Sequence, residues 1–405
     1  KVTVPWSRWP ASSAVYGSIF QTERSDGGLN GPIIPTRDTG FQLNNLGLKV
    51  EKPINTNIIP RGFPLPGPVP TSYDFGFEGW LTYGRNSIAG ISSGWDDDWS
   101  NNDIDPAKAS ADRHNYLSNQ ELFLKAYMPW GNGVEVILGK FFSPIGGEMG
   151  LGLRQHPIGN FFYSRPYLFT GEPVTHTGAL ASFNLWRSEN TGLWMGELGL
   201  VQGWQNTQDN NSGKSILAAL HWRSMDLKYG LDYRLYYGPD QNDPSKESQF
   251  GNSRLLANNA QDKQLHSIGG YAEIIENWRV YTEMTYGKQD GDGKATTVDI
   301  INGLGFSGSE WNGQLIGLLY QHTPKLSFGA RLERFSDPDG FGLYPVTSIG
   351  SKYKAMTLAA SYSLNENVRL RTELRYDKQF DNDGVNLFNG HDNNTALTTD
   401  ITVWF

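Results

Sequence analysis

From Thr71 onward, apolar and polar residues alternate with a period of two. In 73–83 the odd positions read Tyr73, Phe75, Phe77, Gly79, Leu81 and Tyr83, against Asp74, Gly76, Glu78, Trp80 and Thr82. The same rhythm recurs in 227–237, 277–287, 326–334 and 368–377, where Val368, Leu370, Thr372, Leu374 and Tyr376 oppose Arg369, Arg371, Glu373, Arg375 and Asp377. Similar runs lie near 117–130, 133–142, 176–187, 192–204, 214–223, 265–275, 311–322, 353–363 and 395–405. Period-two runs of about ten residues predict β-strands with one apolar face, and tilted strands of that length match a hydrocarbon layer. Tyr and Trp at the ends of the apolar faces match an interfacial girdle. The count is 15 or 16, and closed barrels of one bacterial chain use even numbers. The prediction is therefore an all-β chain, a transmembrane antiparallel β-barrel of about 16 strands (range about 14–18).

The connections alternate in length. Short turns such as Trp130–Gly133, Arg223–Asp226, Glu276–Asn277 and Leu364–Asn367 join hairpin partners, whereas 86–116, 143–175, 205–213, 238–264, 288–310, 335–351 and 378–394 are long and polar. That asymmetry predicts periplasmic turns at one rim and extracellular loops at the other. The first 70 residues differ, with ten of the 21 prolines. Residues 1–40 read as an irregular N-terminal segment, in which Trp6, Trp9 and Tyr16 suggest a plug, a clasp on a neighbouring subunit or a site for periplasmic material, and 41–405 as the barrel. Within it 41–52 reads as a first strand and 53–70 as a stiff, extended connection. The start, Lys1 to Pro5, lacks the apolar core of a leader, so the numbering is expected to begin after cleavage.

Composition narrows the choices further. The 405 residues hold 34 Lys+Arg against 42 Asp+Glu, for a net charge of −8, and no cysteine. Disulfides, thiolate metal sites and cysteine nucleophiles are excluded, and the acidic balance speaks against nucleic acid as a partner. No apolar run approaches the ~18 residues of a membrane helix. The seven histidines, including His221 and His266, form no metallopeptidase motif, and no nucleophile elbow or P-loop is present, so no enzyme is expected.

The loop 143–175 carries Phe161, Phe162, Tyr163, Tyr167 and Phe169 among prolines and glycines. So apolar a loop is expected to fold into the lumen and narrow it, with Glu148, Arg154, Arg165, Glu172 and His176 at or near the constriction. The plainer alternative has Arg165 and Glu172 merely pinning the loop to the wall. On the predicted lumen faces Lys228, Arg234, Arg279, Arg331, Arg369, Arg371 and Arg375 alternate with acids, and the last three form the densest basic patch. Opposed charge ladders orient charged solutes, unless they pair across strands and simply solvate the wall. Asp96, Asp97 and Asp98 are the candidate ligands for a loop-bound calcium, although their spacing lacks a full calcium-loop pattern and solvated loops are the plainer account. No other cofactor is expected.

Leu138-Gly-Lys-Phe-Phe-Ser-Pro-Ile-Gly-Gly-Glu148, Asn160-Phe-Phe-Tyr-Ser-Arg165 and Tyr167-Leu-Phe-Thr-Gly-Glu-Pro-Val-Thr-His-Thr-Gly178 resemble the shared pattern of the putative β-barrel porin-2, OmpL-like family. Phe41 to Asn44 with Asp74 to Glu78 is similar to its first hairpin, and the proline-rich 53–70 departs from it. The alternating end, Leu397 to Phe405, resembles the C-terminal signal read by the barrel-assembly machinery. The resemblance implies an outer-membrane barrel with a pore, and hence passive diffusion of small hydrophilic solutes or ions. The other reading is an architectural or binding barrel that anchors cell-envelope material with its pore closed. Outer-membrane lipid and a homotrimer are the expected surroundings.

Overall fold

The computed structural model describes residues 12–24, 40–92, 94–97, 99, 115–146, 161–209, 213–239, 262–290, 308–339, 350–381, 388 and 390–404. Among them, sixteen strands close into one antiparallel barrel: β1 (Ser12–Arg24), β2 (Gly40–Lys52), β5 (Asp74–Gly84), β6 (Tyr116–Met128), β7 (Val134–Phe142), β8 (Thr175–Ser188), β9 (Gly192–Val201), β10 (Ser215–Arg223), β11 (Tyr229–Pro239), β12 (Asp262–Ile275), β13 (Trp278–Asp290), β14 (Gly308–Gln321), β15 (Leu326–Asp337), β16 (Ser351–Asn365), β17 (Val368–Phe380) and β18 (Asn393–Trp404). Each strand pairs with its sequence neighbours, and β1 closes the ring against β18 with Tyr16 opposite Trp404. Full closure leaves no unpaired edge, which a hydrocarbon environment requires. A two-residue pair, β3 (Ile58–Ile59) and β4 (Phe63–Pro64), stands apart from the ring.

The outer wall is apolar because the pleat sends alternate side chains outward. On β17, Leu370, Leu374 and Tyr376 are exposed while Arg371, Glu373, Arg375 and Asp377 are buried. Rings mark the short-turn end of the outer face, where Trp278 stacks on Tyr320 with centroids 4.4 Å apart. Leu, Ile and Met fill the belt between. The inward polar residues are more telling: in a water-filled tube they would be wet, yet Arg375 and Asp377 are only 3% and 0% exposed. Something covers them.

Two expectations about the first 70 residues need correction. Residues 12–24, read as part of an irregular segment, form the closing strand β1. Prolines on both sides and a short apolar run hid a strand whose stability comes from two neighbours rather than from its own pattern. Residues 53–70 are not a simple connection either, for they turn into the lumen, as described below. Small residues occur on both faces of the wall: Ala179, Ala181, Ala218 and Ala360 are partly exposed, whereas Ala355 and Ala359 are buried.

Candidate functional site

The loop after β7 crosses the barrel. It leaves the wall at β7 and returns at β8, yet its middle is bonded to the inner faces of β15 and β17, about half-way round the ring. Glu373 accepts the backbone N–H groups of Tyr163 at 2.8 Å and Ser164 at 3.2 Å. Glu333 accepts that of Tyr167 at 2.5 Å. Arg331 donates to the Ser164 carbonyl at 3.0 Å and to its hydroxyl at 3.0 Å, Arg371 to the Phe162 carbonyl at 2.9 Å, and Arg375 to the Ser164 hydroxyl at 3.1 Å. Further along, the Trp311 indole on β14 donates to the Gly171 carbonyl at 2.9 Å. A loop buried away from water must place its backbone donors and acceptors somewhere, and here the wall supplies them.

Shape supports the same docking. A Cβ on Gly329 would lie 2.3 Å from the Phe161 ring, and one on Gly313 would lie 2.6 Å from Leu168. These two glycines of the inner wall are recesses that seat loop side chains. Phe162 and Leu168 then join Tyr271, Tyr281, Leu315 and Ala359 in one apolar cluster. Tyr167 stacks on Tyr353 at 4.7 Å, under the Arg375 guanidinium. Burial, with nearby Asp400 and Asp377 respectively, pushes the Tyr163 and Tyr167 phenols well above their ordinary range, so both stay neutral.

A second segment enters from the short-turn rim. Between β2 and β5, the β3–β4 pair turns through Pro60, Arg61 and Gly62, with Arg61 in the left-handed region at φ 74°. The Arg61 N–H donates to Glu197 at 2.5 Å and its guanidinium pairs with Glu121. Burial alone would draw the Arg61 guanidinium down, but Glu121 and Glu78 hold it above its usual value. Arg223 donates to the Gly62 carbonyl at 2.6 Å and lies over the Phe63 ring at 4.3 Å. Arg187 bonds the Leu65 carbonyl at 3.0 Å and also that of Gly67. Phe63 stacks against Tyr271 and packs on the cluster that holds Phe162. The two inserted segments therefore share one apolar cluster within the barrel.

The residues singled out from the sequence separate into groups. Arg331, Arg371 and Arg375 come together under the loop, each with an acid: Arg371 forks onto Asp400 at 2.6 and 3.0 Å, Arg375 meets Glu333 at 2.9 Å and Asp377 at 2.8 Å, and Arg331 lies 3.5 Å from Glu333. The pairing account of these charges is the one the geometry carries. Arg369 is on the same inner face, toward the short-turn rim. Arg234 bonds Asp232 at 2.8 Å on the opposite side of the ring. Arg279 is half exposed near that rim, 4.0 Å from Glu273, and Lys228 is an exposed turn residue rather than a wall residue. Arg165 covers the Phe169 ring, and Glu172 is buried in the loop. His176 clamps the loop base, between the Gly203 carbonyl at 3.0 Å and the Ser143 hydroxyl at 3.1 Å. Asp96 is taken up by Lys140 at 3.2 Å and by the Ser92 and Asn119 amides, while Asp97 meets the Trp95 amide. Glu148, Arg154, Asp98 and Phe405 lie outside the described residues.

The sequence places Glu333, Glu373, Arg223 and Glu197 on inward faces, but it does not mark them as the groups that fasten an inserted segment. The signal for the first two was present: Arg331-x-Glu333 and Arg371-x-Glu373-x-Arg375-x-Asp377 alternate in sign on one face, beside inward glycines at 313 and 329. His221 is buried between Asp232 at 2.6 Å and Glu197 at 3.2 Å.

Solved structures share this architecture. OmpT of Vibrio cholerae is 9% identical, with 98% of this chain and 97% of that chain covered at a TM-score of 0.54. The outer membrane channel DcaP of Acinetobacter baumannii is 11% identical, covering 97% and 96% at 0.55. OmpF of Salmonella typhi, in complex with daunomycin, is 11% identical, covering 99% of both at 0.54. No curated protein sequence matches the chain. A closed sixteen-stranded ring with an apolar belt and an inserted loop defines an outer-membrane porin, a channel rather than an enzyme. The family model for "Putative beta-barrel porin-2, OmpL-like" matches residues 13–405, and the chain belongs to that family.

Proposed function

We propose that this porin passes small hydrophilic solutes or ions by passive diffusion through a lumen narrowed by fixed segments. The reading rests chiefly on how the loop 143–174 is held. Its backbone is bonded to buried, charge-paired arginines and carboxylates of the far wall, an arrangement suited to a permanent constriction rather than a swinging lid. Such charge-assisted bonds are worth ~1.5–3 kcal/mol each, so several together hold the loop against thermal opening. Because the acids neutralise Arg331, Arg371 and Arg375 locally, this patch sets the width of the path more than its charge preference. Asp96 and its neighbours need no metal in this account.

The protein is expected to assemble as a homotrimer, a state in which the similar fold of OmpT has been seen. Single-channel recording in a planar bilayer across a salt gradient tests the reading. Stepwise conductance, with three equal closures for a trimer, is the expected result. Silence from folded, heat-modifiable protein would overturn diffusion and leave the architectural, closed barrel.

A further inference from the structure

The outer wall carries cations where a membrane barrel ordinarily places neutral or aromatic residues. Arg334 on β15, Lys354 on β16 and Lys378 on β17 are direct cross-strand partners, Arg334 opposite Lys354 and Lys354 opposite Lys378. The alternation of each strand puts all three outside, in step with Leu332, Met356 and Tyr376, which are exposed in the next outward row. That row and the one beyond it, Ala330, Leu358, Leu374 and Leu397, continue as an apolar strip toward the short-turn rim.

Position makes the row unusual. It lies two or three residues from the long-loop ends of its strands, at the upper edge of the apolar strip. A lipid-facing cation costs ~2–4 kcal/mol at the bilayer midplane and ~0–1 kcal/mol near the interface, so these residues stand at headgroup depth. Strands are spaced ~4.8 Å apart, so three directly opposed cations crowd within about 10 Å, and like charges so placed repel. Compensation from the protein is partial. Lys378 meets Asp392 at 2.5 Å, and Lys354 lies over the Phe380 ring at 4.9 Å. Among the described residues no carboxylate pairs with Arg334 or Lys354. Lys352, one outward position nearer the rim, adds a fourth cation, answered by Asp381. Elsewhere along this rim, among the described residues, the outward charges are acidic or internally balanced, as with Asp262 bonded to Tyr237 and Lys288 paired with Asp290.

We propose that the outer face of β15–β17 is a docking site for a phosphorylated lipid of the outer leaflet. Its phosphate would sit on Arg334, Lys354 and Lys378, and its acyl chains would run down the strip of Leu332, Met356, Leu358 and Leu374. The chemistry fits. A guanidinium forks onto phosphate oxygens and an ammonium adds a point charge, while the apolar rows directly below accept hydrocarbon. A free anion would use only the upper half of this surface.

Native mass spectrometry of the full chain in detergent tests the assignment. The wild type and an R334Q/K354Q/K378Q variant are titrated with diphosphoryl lipid A, with the same lipid after removal of its phosphates, and with inorganic phosphate. The expected result is saturable binding of the phosphorylated lipid, weakened at least about tenfold in the variant and for the dephosphorylated lipid, with no retention of inorganic phosphate. A K288Q control should bind like the wild type, and heat-modifiable mobility reports that each variant is folded. Should the triple variant fail to fold, R334Q alone is read the same way. Equal binding by the variant, or equal binding of the dephosphorylated lipid, overturns the site. Retention of inorganic phosphate would make it a free-anion site instead. A change of oligomeric state without a change in lipid binding would assign the face to a second copy of the chain.

Discussion

The Glu373 carboxylate on β17 accepts the backbone N–H of Tyr163 at 2.8 Å across 210 residues of sequence. The bond joins the far wall to the middle of an inserted loop, and the same carboxylate takes the next amide as well. It leaves neither amide to find water, which the packed lumen does not offer there.

Glu373→Ala should therefore free the loop without opening the barrel. Removing one partner of a buried charged set costs ~3–5 kcal/mol, which falls here on docking rather than on the strand ladder. Single-channel conductance should rise and become noisier, while heat-modifiable mobility persists. Unchanged conductance would put the loop outside the solute path.

Gly329→Leu tests the same docking through shape. Even a Cβ at this position would sit 2.3 Å from Phe161, so a leucine must displace the ring. The expected phenotype resembles that of Glu373→Ala, with no charge altered. Ion selectivity should stay constant while conductance rises, and a folded variant with wild-type conductance would count against a tight seat.

The short-turn side has its own fastener. Arg223→Gln removes both the bond to the Gly62 carbonyl and the cover over Phe63. Residues 53–73 should become a site of protease cleavage in the folded barrel, with conductance raised further when combined with Glu373→Ala. If the single and double variants are indistinguishable from wild type, the segment is held elsewhere.

Closure of the ring gives a fourth expectation. Because β1 pairs with both β18 and β2, a chain starting at residue 12 should yield a heat-modifiable barrel, and one starting at residue 25 should not. Equal folding of both would make β1 dispensable.

The wall itself was legible in the sequence, and for a simple reason. Runs such as Leu370, Leu374 and Tyr376 against Arg371, Glu373 and Arg375 alternate because one side meets lipid, and that demand repeats strand after strand. The destination of the loop's aromatics was readable too, since Phe161, Phe162 and Tyr167 had no reason to face water. Less visible was the partner wall. Which of many inward arginines meets Ser164 depends on register around the ring, and no local pattern encodes a contact of 211 residues. Strand β1 and the β3–β4 turn escaped for a related reason: their order is supplied by neighbours distant in sequence, such as Trp404 and Arg223. Lys228 misled because the period ran on into a turn.

The distance between the loop and its seat has a bearing on biogenesis. Residues 161–171 emerge long before Glu333, Glu373 and Arg375, the groups that fasten them. Until β15–β17 join the sheet, the five aromatic rings of the loop have no pocket, and a folding intermediate presents them to whatever escorts the chain. If the loop narrows the passage as proposed, seating waits for β15–β17 and the passage reaches its final width only as the last strands arrive.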